Sequence, residues 1–188
     1  VTFLDRILQS IRIKKAGSYI SQGDAVLDIG CANGELFKCI EGISFGVGVD
    51  PDLQNDIERD NYILLKGFFP ERRLPGETKF NVITMLAVLE HIPEKLQKAL
   101  AIACFDSLDR DGKIVITVPS HRVDIILAIL KKLRLIDGMN LEQHFGFRIA
   151  DTKQLFSSPY FRLIHHKKFQ FGLNNLFVFQ KGDKEGMK

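Results

Sequence analysis

The sequence predicts an α/β fold in three layers: a doubly wound, mostly parallel seven-stranded sheet that ends in an antiparallel hairpin. Three observations predict it. Short apolar, β-branched runs recur at 25–29, 45–49, 62–66, 81–85 and 113–118, the pattern of strands buried on both faces. Glycine turns or stretches with helical apolar spacing follow several of these runs. Two further runs, 160–171 and 176–180, flank Gly172-Leu-Asn-Asn175 and read as the hairpin. With 188 residues, 45% of them hydrophobic, the chain can close one sizeable core, and a second large domain is not expected. Residues 1–182 are therefore read as a single domain and 183–188 as a polar, disordered tail.

Residues 2–15 place Phe3, Leu4, Ile7, Leu8 and Ile11 on one face, so an N-terminal helix with a basic last turn is expected within 1–22, covering one sheet edge. The first strand, 25–29, holds one acid, Asp28. Gly30 and Gly34 then break the chain, and Glu35-Leu-Phe-Lys-Cys-Ile40 has helical spacing. A strand, a glycine turn and a helix start bring bare backbone and a positive helix terminus to an anionic ligand group. Twenty residues after Gly30, the strand Phe45-Gly-Val-Gly-Val49 ends in Asp50, where an acid can accept both hydroxyls of a ribose. Pro51 ends that strand, and 53–59 reads as a short helix.

After the third strand, 62–66, comes Gly67-Phe68-Phe69-Pro70, then a charged surface loop over 71–79. Residues 81–85 form the fourth strand and 86–93 the loop at its carboxyl end, where open α/β sheets bind ligands. Residues 94–108 form an amphipathic helix that offers Leu96, Ala99, Leu100, Ala103 and Phe105 to the sheet. Asp109-Arg-Asp-Gly112 is the turn into the fifth strand, 113–118.

The stretch 121–149 exceeds what a minimal fold of this kind demands. Its helix, 123–136, clusters Asp124, Lys131 and Arg134 on one side, yet Leu127 and Leu135 project there too. Those leucines face a substrate, a membrane surface, a partner subunit or the loop that follows. Asp151-Thr-Lys-Gln154 is a capping box for a short helix. His165 and His166 point to opposite faces of their strand, which excludes a paired metal site.

The net charge of +3 is too small to argue for nucleic acid, but it is unevenly spread. Residues 1–120 carry 14 basic and 17 acidic side chains, and 121–188 carry 12 and 6. Cys31, Cys39 and Cys104 lack metal-ligand spacing and cannot all pair, so a reduced, cytoplasmic setting is expected. No signal peptide, spanning apolar run, repeat or low-complexity segment is legible. A chain that begins at Val1 is expected to be a fragment or to use an unusual start.

A dinucleotide fingerprint needs glycines as G-x-G-x-x-G, whereas this chain has Gly30, Ala32 and Gly34. Asp28-x-Gly-Cys-x-x-Gly34, with Asp50 ending the next strand, resembles instead the S-adenosylmethionine site of class I methyltransferases. That resemblance implies S-adenosyl-L-methionine as cofactor, with Asp28, Gly30, Cys31, Ala32 and Gly34 holding its methionine end. It places Asp50 and Pro51 at the ribose. Phe68 or its neighbour would stand at the adenine, where the family commonly has an acid; either ring is equally read as core. The family usually has glycine in place of Ala32.

Leu89-Glu-His-Ile-Pro93 is similar to the corresponding loop of small-molecule methyltransferases, including the ubiquinone-pathway O-methyltransferases. It implies that Leu86 and Ala87 line the cofactor and that Glu90 and His91 are catalytic: an acid beside the sulfonium and an imidazole able to take a proton. The alternative is that Glu90 or His91 caps the next helix and fixes the loop. Some relatives ligate a metal with an acid where Ala87 stands; alanine cannot, so no metal is expected. Gln143-His-Phe-Gly-Phe147 resembles a segment that closes over the active site in relatives, which makes His144 a second candidate base.

The resemblance runs almost continuously from 24 to 120, supplies the strand order, and implies that the N-terminal helix acts as a lid. The function it implies is methyl transfer to a small-molecule or lipid-like acceptor, seated between the Glu90-His91 loop and the 121–149 insertion. No nucleic acid is expected; a peripheral membrane contact or a homodimer would use 123–136. A non-catalytic S-adenosylmethionine-binding module and, on weaker grounds, an NAD-dependent oxidoreductase are the alternatives.

Overall fold

The computed structural model of the chain describes residues 3–76, 78–120, 149–157 and 159–182, with the backbone alone for 3–5. In chain order the elements are α1 (Phe3–Gly17), β1 (Ala25–Ile29), α2 (Glu35–Cys39), β2 (Phe45–Asp50), β3 (Ile57–Glu58), β4 (Tyr62–Lys66) and β5 (Phe80–Leu86). A 3-10 turn (Leu89–His91) leads to α3 (Glu94–Ser107), β6 (Leu108–Pro119), α4 (Ile149–Leu155), β7 (Phe161–Phe169) and β8 (Asn174–Lys181).

Among the described residues, eight strands form one sheet in the order β3-β4-β2-β1-β5-β6-β8-β7. The middle five, β4 to β6 in that order, are parallel. The edge strand β3 and the β7–β8 hairpin run antiparallel. From β1 the chain winds first toward β2 and β4, then returns to β5 on the other side. The carboxyl ends of β1 and β5 are therefore the switch point, where helices leave in opposite directions and open a crevice.

Alternation along the strands makes two cores. Leu27 and Ile29 of β1, Ile83 and Met85 of β5, and Phe177 and Phe179 of β8 pack under α3 and α4. Val26, Val82 and Val178 pack under α1 and α2 with Ile13, Ala16, Leu36 and Phe37. Both sheet faces are thus covered, which is why the parallel strands read as unbroken apolar runs. Truncating Leu27 or Ile83, each fully buried, to alanine costs about 2–5 kcal/mol.

Several elements differ from the sequence expectation. The eighth strand is β3, at the place where a helix over 53–59 was expected. Its segment is tied to β4 instead: the Lys66 N–H donates to Asp56 Oδ1 at 2.8 Å, and the Arg59 N–H to the Tyr62 carbonyl at 2.9 Å. An ion pair between Arg72 and Asp56 holds the same place. On α3 the buried stripe is Gln97, Leu100, Ala101, Cys104 and Phe105, whereas Leu96 and Ala99 are exposed. The stripe repeats at three and four residues and Leu96 lies on its flank. On α1, Ile13 and Ala16 are the buried residues and Ile7 is exposed, because the last two turns are the ones that lie on the sheet.

The expected Asp109–Gly112 turn survives as a bulge inside β6, between the pairs Phe80↔Leu108 and Val82↔Lys113. Asp151 sits in the first turn of α4 rather than before it, where its charge meets the positive helix end. The 123–136 helix, His144 and the 183–188 tail lie outside the described residues. No helix among the described residues is long and apolar enough to cross a membrane.

Candidate active site

The loop that leaves β1 at the switch point is built on left-handed backbone. Gly30 has φ 76°, and its N–H donates to the Val49 carbonyl at 2.8 Å. A Cβ on Gly30 would stand 2.3 Å from Val88 Cγ2, so only glycine lets the two loops close. Ala32 also has positive φ, 47°, which costs an L-residue roughly 1–2 kcal/mol. Its N–H donates to Asp50 Oδ2 at 2.8 Å, and a hydrogen bond to a charged acceptor, worth about 1.5–3 kcal/mol, offsets the strain. That bond explains how alanine is tolerated here.

Asp50 holds a second backbone group, since its Oδ1 accepts the Asp52 N–H at 2.8 Å. It is 8% exposed. Each carboxylate oxygen has two acceptor directions, so one remains on each after these bonds. A vicinal diol needs that same pair.

The glycines of β2 make room for the loop. A Cβ on Gly48 would lie 2.6 Å from Cys31 Sγ, and one on Gly46 would lie 2.6 Å from the Phe37 ring. Burial, then the negative charges of Asp28 and Asp50, push the Cys31 thiol well above its ordinary value. A neutral thiol is a weak nucleophile, so Cys31 fills space under the loop.

Asp28 lies beside Thr84 in register, and the Thr84 hydroxyl donates to its Oδ1 at 2.6 Å. Burial pushes the Asp28 carboxyl up to about 7; the Thr84 bond opposes this, and the charges of Asp50 and Glu35 add to it. The Glu35 carboxylate reaches back and accepts the Asn33 N–H at 2.9 Å. This bond closes the turn just before α2, and Glu35 adds a negative charge to the first turn of that helix. Asp28, Glu35 and Asp50 together make the surroundings of the glycine turn negative.

A cavity of about 30 Å³ lies over this turn, floored by Asp28, Gly30, Cys31 and Leu86 and roofed by Gln9, Arg12 and Ile13 of α1. Drug-sized and cofactor ligands occupy roughly 300 Å³ or more, so this cavity is too small for one with α1 where it stands. Arg12 Nε donates to Asn174 Oδ1 at 3.4 Å and Gln170 Nε2 to the Leu8 carbonyl at 3.4 Å, which joins α1 to the β7–β8 hairpin. Ile13 and Ala16, both buried in the core, anchor the same helix to the sheet.

The loop after β5 closes the other wall. Ala87 has φ 60°, and its N–H donates to the Thr117 carbonyl at 2.9 Å, which presses Val88 onto Gly30. Glu90 is 2% exposed, and His91 is half-buried with its backbone N–H on the Val88 carbonyl at 3.0 Å. Of the sequence-predicted residues, Asp28, Gly30, Cys31 and Leu86 share the cavity, while Ala32, Gly34 and Asp50 form its hydrogen-bonded rim. Pro51 is exposed, and Phe68 is 63% exposed at the end of β4, apart from the cavity. Among the described residues, no group of three potential metal ligands comes together.

Thr84, Arg12 and Glu35 were missed. Thr84 carried a faint signal, a hydroxyl within a run of apolar strand residues; nothing in the spacing of α1 distinguishes Arg12.

The donor set fits a cofactor with a cationic amino-acid end and a ribose: carboxylates for the cation, Asp50 for the diol, bare backbone at the turn. The fold and this crevice define a doubly wound α/β domain with a cofactor cleft at its switch point. The chain belongs to the methyltransferase domain family, which matches residues 3–166.

Among curated proteins it is 30% identical over 115 residues to sphingolipid C9-methyltransferase 1 of Gibberella zeae, a match that covers 55% of this chain. The match spans about a fifth (22%) of that relative's length. Among solved structures it is similar to a TehB-like S-adenosylmethionine-dependent methyltransferase from Corynebacterium glutamicum: TM-score 0.64 and 16% identity over 90% of this chain and 86% of that one. A Burkholderia thailandensis 1,6-didemethyltoxoflavin-N1-methyltransferase with bound S-adenosylhomocysteine matches with TM-score 0.68 and 16% identity, over 96% and 81% of the two chains. The magnesium protoporphyrin IX methyltransferase of Synechocystis, also with bound S-adenosylhomocysteine, gives 0.66 and 15%, over 97% and 89%. At these identities the structural matches establish a common fold.

Proposed function

We propose that the chain is an S-adenosylmethionine-dependent methyltransferase acting on a small-molecule or lipid-like acceptor. One observation carries this reading over a dinucleotide enzyme. Asp28, Glu35 and Asp50 surround the glycine turn, and Glu35 already holds the Asn33 N–H. Asp50 and Glu35, the latter paired with Lys38 at 3.8 Å, and Asp28 as it ionises near pH 7 disfavour a pyrophosphate and favour a sulfonium and an ammonium. The lipid-like acceptor is supported by the sphingolipid methyltransferase relative. Three unpaired cysteines support a reduced, cytoplasmic setting.

When bound, S-adenosylmethionine supplies a sulfonium methyl that is already electrophilic. The chain's residues hold, align and deprotonate. Asp28 and the turn from Gly30 through Cys31 and Ala32 to Gly34 bind the methionine end, and Arg12 complements its carboxylate from above. Asp50, with Pro51 turning the chain, accepts the ribose hydroxyls, and Phe68 offers a ring face to the adenine. Leu86 and Ala87 line the wall, and α1 excludes water when closed. His91 takes the acceptor's proton with Glu90 beside it, and His144 is the second candidate for that base. A positioned base contributes roughly 10²–10⁴-fold. Because alanine occupies position 87, activity is expected to survive EDTA; its loss, restored by magnesium, would refute metal independence.

Titration calorimetry with S-adenosylhomocysteine and NAD tests the cofactor. Binding of the first and not the second is expected, and the reverse overturns the proposal. Binding without turnover on any acceptor would make the chain a binding module.

A further inference from the structure

Phe171, at the tip of the β7–β8 hairpin, has no part in the site described above. Phe171 is 102% exposed, held out from the turn by left-handed backbone at Gln170, Phe171 and Gly172 (φ 52°, 57° and 81°). A large apolar ring presented wholly to water contributes nothing to the core, and it gains stabilisation only where a partner surface covers it. The Gln170 side chain donates to the Leu8 carbonyl of α1, on which Ile7 is 40% exposed.

The hairpin carries no acid from Phe161 to Gly182. Arg162 and Lys181 stand at its far end, and Lys167 and Lys168 are the charges it places near the tip. Lys167 and Lys168 are exposed on the edge strand and pair in register with Leu176 and Asn175, near the hairpin end. Strand alternation sends them to opposite faces, so they flank the tip on both sides. Asn174 pairs with Pro119 at the carboxyl end of β6. The tip therefore stands on the same rim of the sheet as the cavity over Gly30, and Arg12, which roofs that cavity, is bonded to Asn174.

We propose that the Phe171 tip with Lys167 and Lys168 docks on an anionic lipid surface, which sets the rim that carries the active-site crevice against the membrane. The ring enters the headgroup region and the lysines meet lipid phosphates, the combination that binds peripheral proteins reversibly. Charge complementarity selects an anionic bilayer, and the fully exposed ring selects a bilayer over a soluble anion. The surface is independent of the methyltransferase reading, since it needs neither cofactor nor acceptor.

The test is cosedimentation with sucrose-loaded vesicles of phosphatidylcholine alone, or with about a third phosphatidylserine. The parent chain is expected to bind the anionic vesicles only, and less as salt rises. Lys167→Gln with Lys168→Gln should weaken binding roughly 30-fold, about fivefold per lysine near such a surface. Phe171→Ser should weaken it about tenfold. Both variants should keep the parent's circular dichroism and its calorimetric affinity for S-adenosylhomocysteine, because all three side chains are exposed. Three outcomes overturn the proposal: no binding by the parent, variants that bind as the parent does, or binding of a single-stranded RNA oligonucleotide in preference to the vesicles. Loss of cofactor binding by the parent chain would instead refute the proposed enzyme and leave the membrane surface standing.

Discussion

Asp28→Asn separates what this acid costs the fold from what it does for the ligand. Asp28 is buried, with its carboxyl pushed up to about 7 from 3.8. A group whose folded pKa is raised binds its proton more tightly in the folded state. Its contribution to stability is therefore full below about pH 4 and is lost as pH climbs to 7. Between pH 5 and pH 8 the parent should lose about 3 kcal/mol on this account, at 1.36 kcal/mol per pKa unit. Asparagine does not titrate and keeps an oxygen for the Thr84 hydroxyl, while its amide brings two donors that need acceptors, at about 1–3 kcal/mol if unmet. That penalty is the same at every pH.

The stability of the variant relative to the parent should therefore rise by about 3 kcal/mol from pH 5 to pH 8, or roughly 6–12 °C in melting temperature. Urea titrations of both proteins at four pH values measure it, and titrations common to both chains cancel. Parallel stability curves would refute the burial argument. The variant should also lose S-adenosylhomocysteine affinity at pH 8, since function rather than stability retains the charge.

Gly30→Ala should cost about 2–5 kcal/mol, from overlap with Val88 and the left-handed φ. Adding Val88→Ala should recover part of that in thermal melts, and strict additivity would show that the two side chains do not meet. Asp50→Ala removes two backbone-to-carboxylate bonds and should destabilise by roughly 3–6 kcal/mol. It should also weaken S-adenosylhomocysteine binding by about 1.5–3 kcal/mol; unchanged affinity in calorimetry would remove Asp50 from the ribose site. His91→Ala should lower turnover about 10²–10⁴-fold with cofactor binding intact, and an equal drop in His144→Ala alone would transfer the role of base to that residue.

The parallel strands and the glycine turn were legible in the chain because their causes are local. A strand covered on both faces must be apolar along its length, and a left-handed turn selects glycine at Gly30 and Gly34. The acid ending the second strand was legible for the same reason: Asp50 stands at a fixed distance along the chain from Gly30. Other features depend on partners far away in sequence. Residues 53–59 have helical spacing, yet Asp56 finds the Lys66 N–H and Arg72, and the segment pairs as a short strand. The buried faces of α1 and α3 differ from the expected ones because apolar spacing along one helix does not say which of its turns lies on the sheet. Asp28 acquires its raised pKa from burial and from the charges of Asp50 and Glu35, against the opposing bond from Thr84, a set drawn from two other strands and a helix. The strain at Ala32 is offset by Asp50, eighteen residues on, which takes its N–H. Propensity and period act over a few residues, whereas burial, charge coupling and the closing of α1 over the crevice arise from which surfaces meet once the sheet has formed.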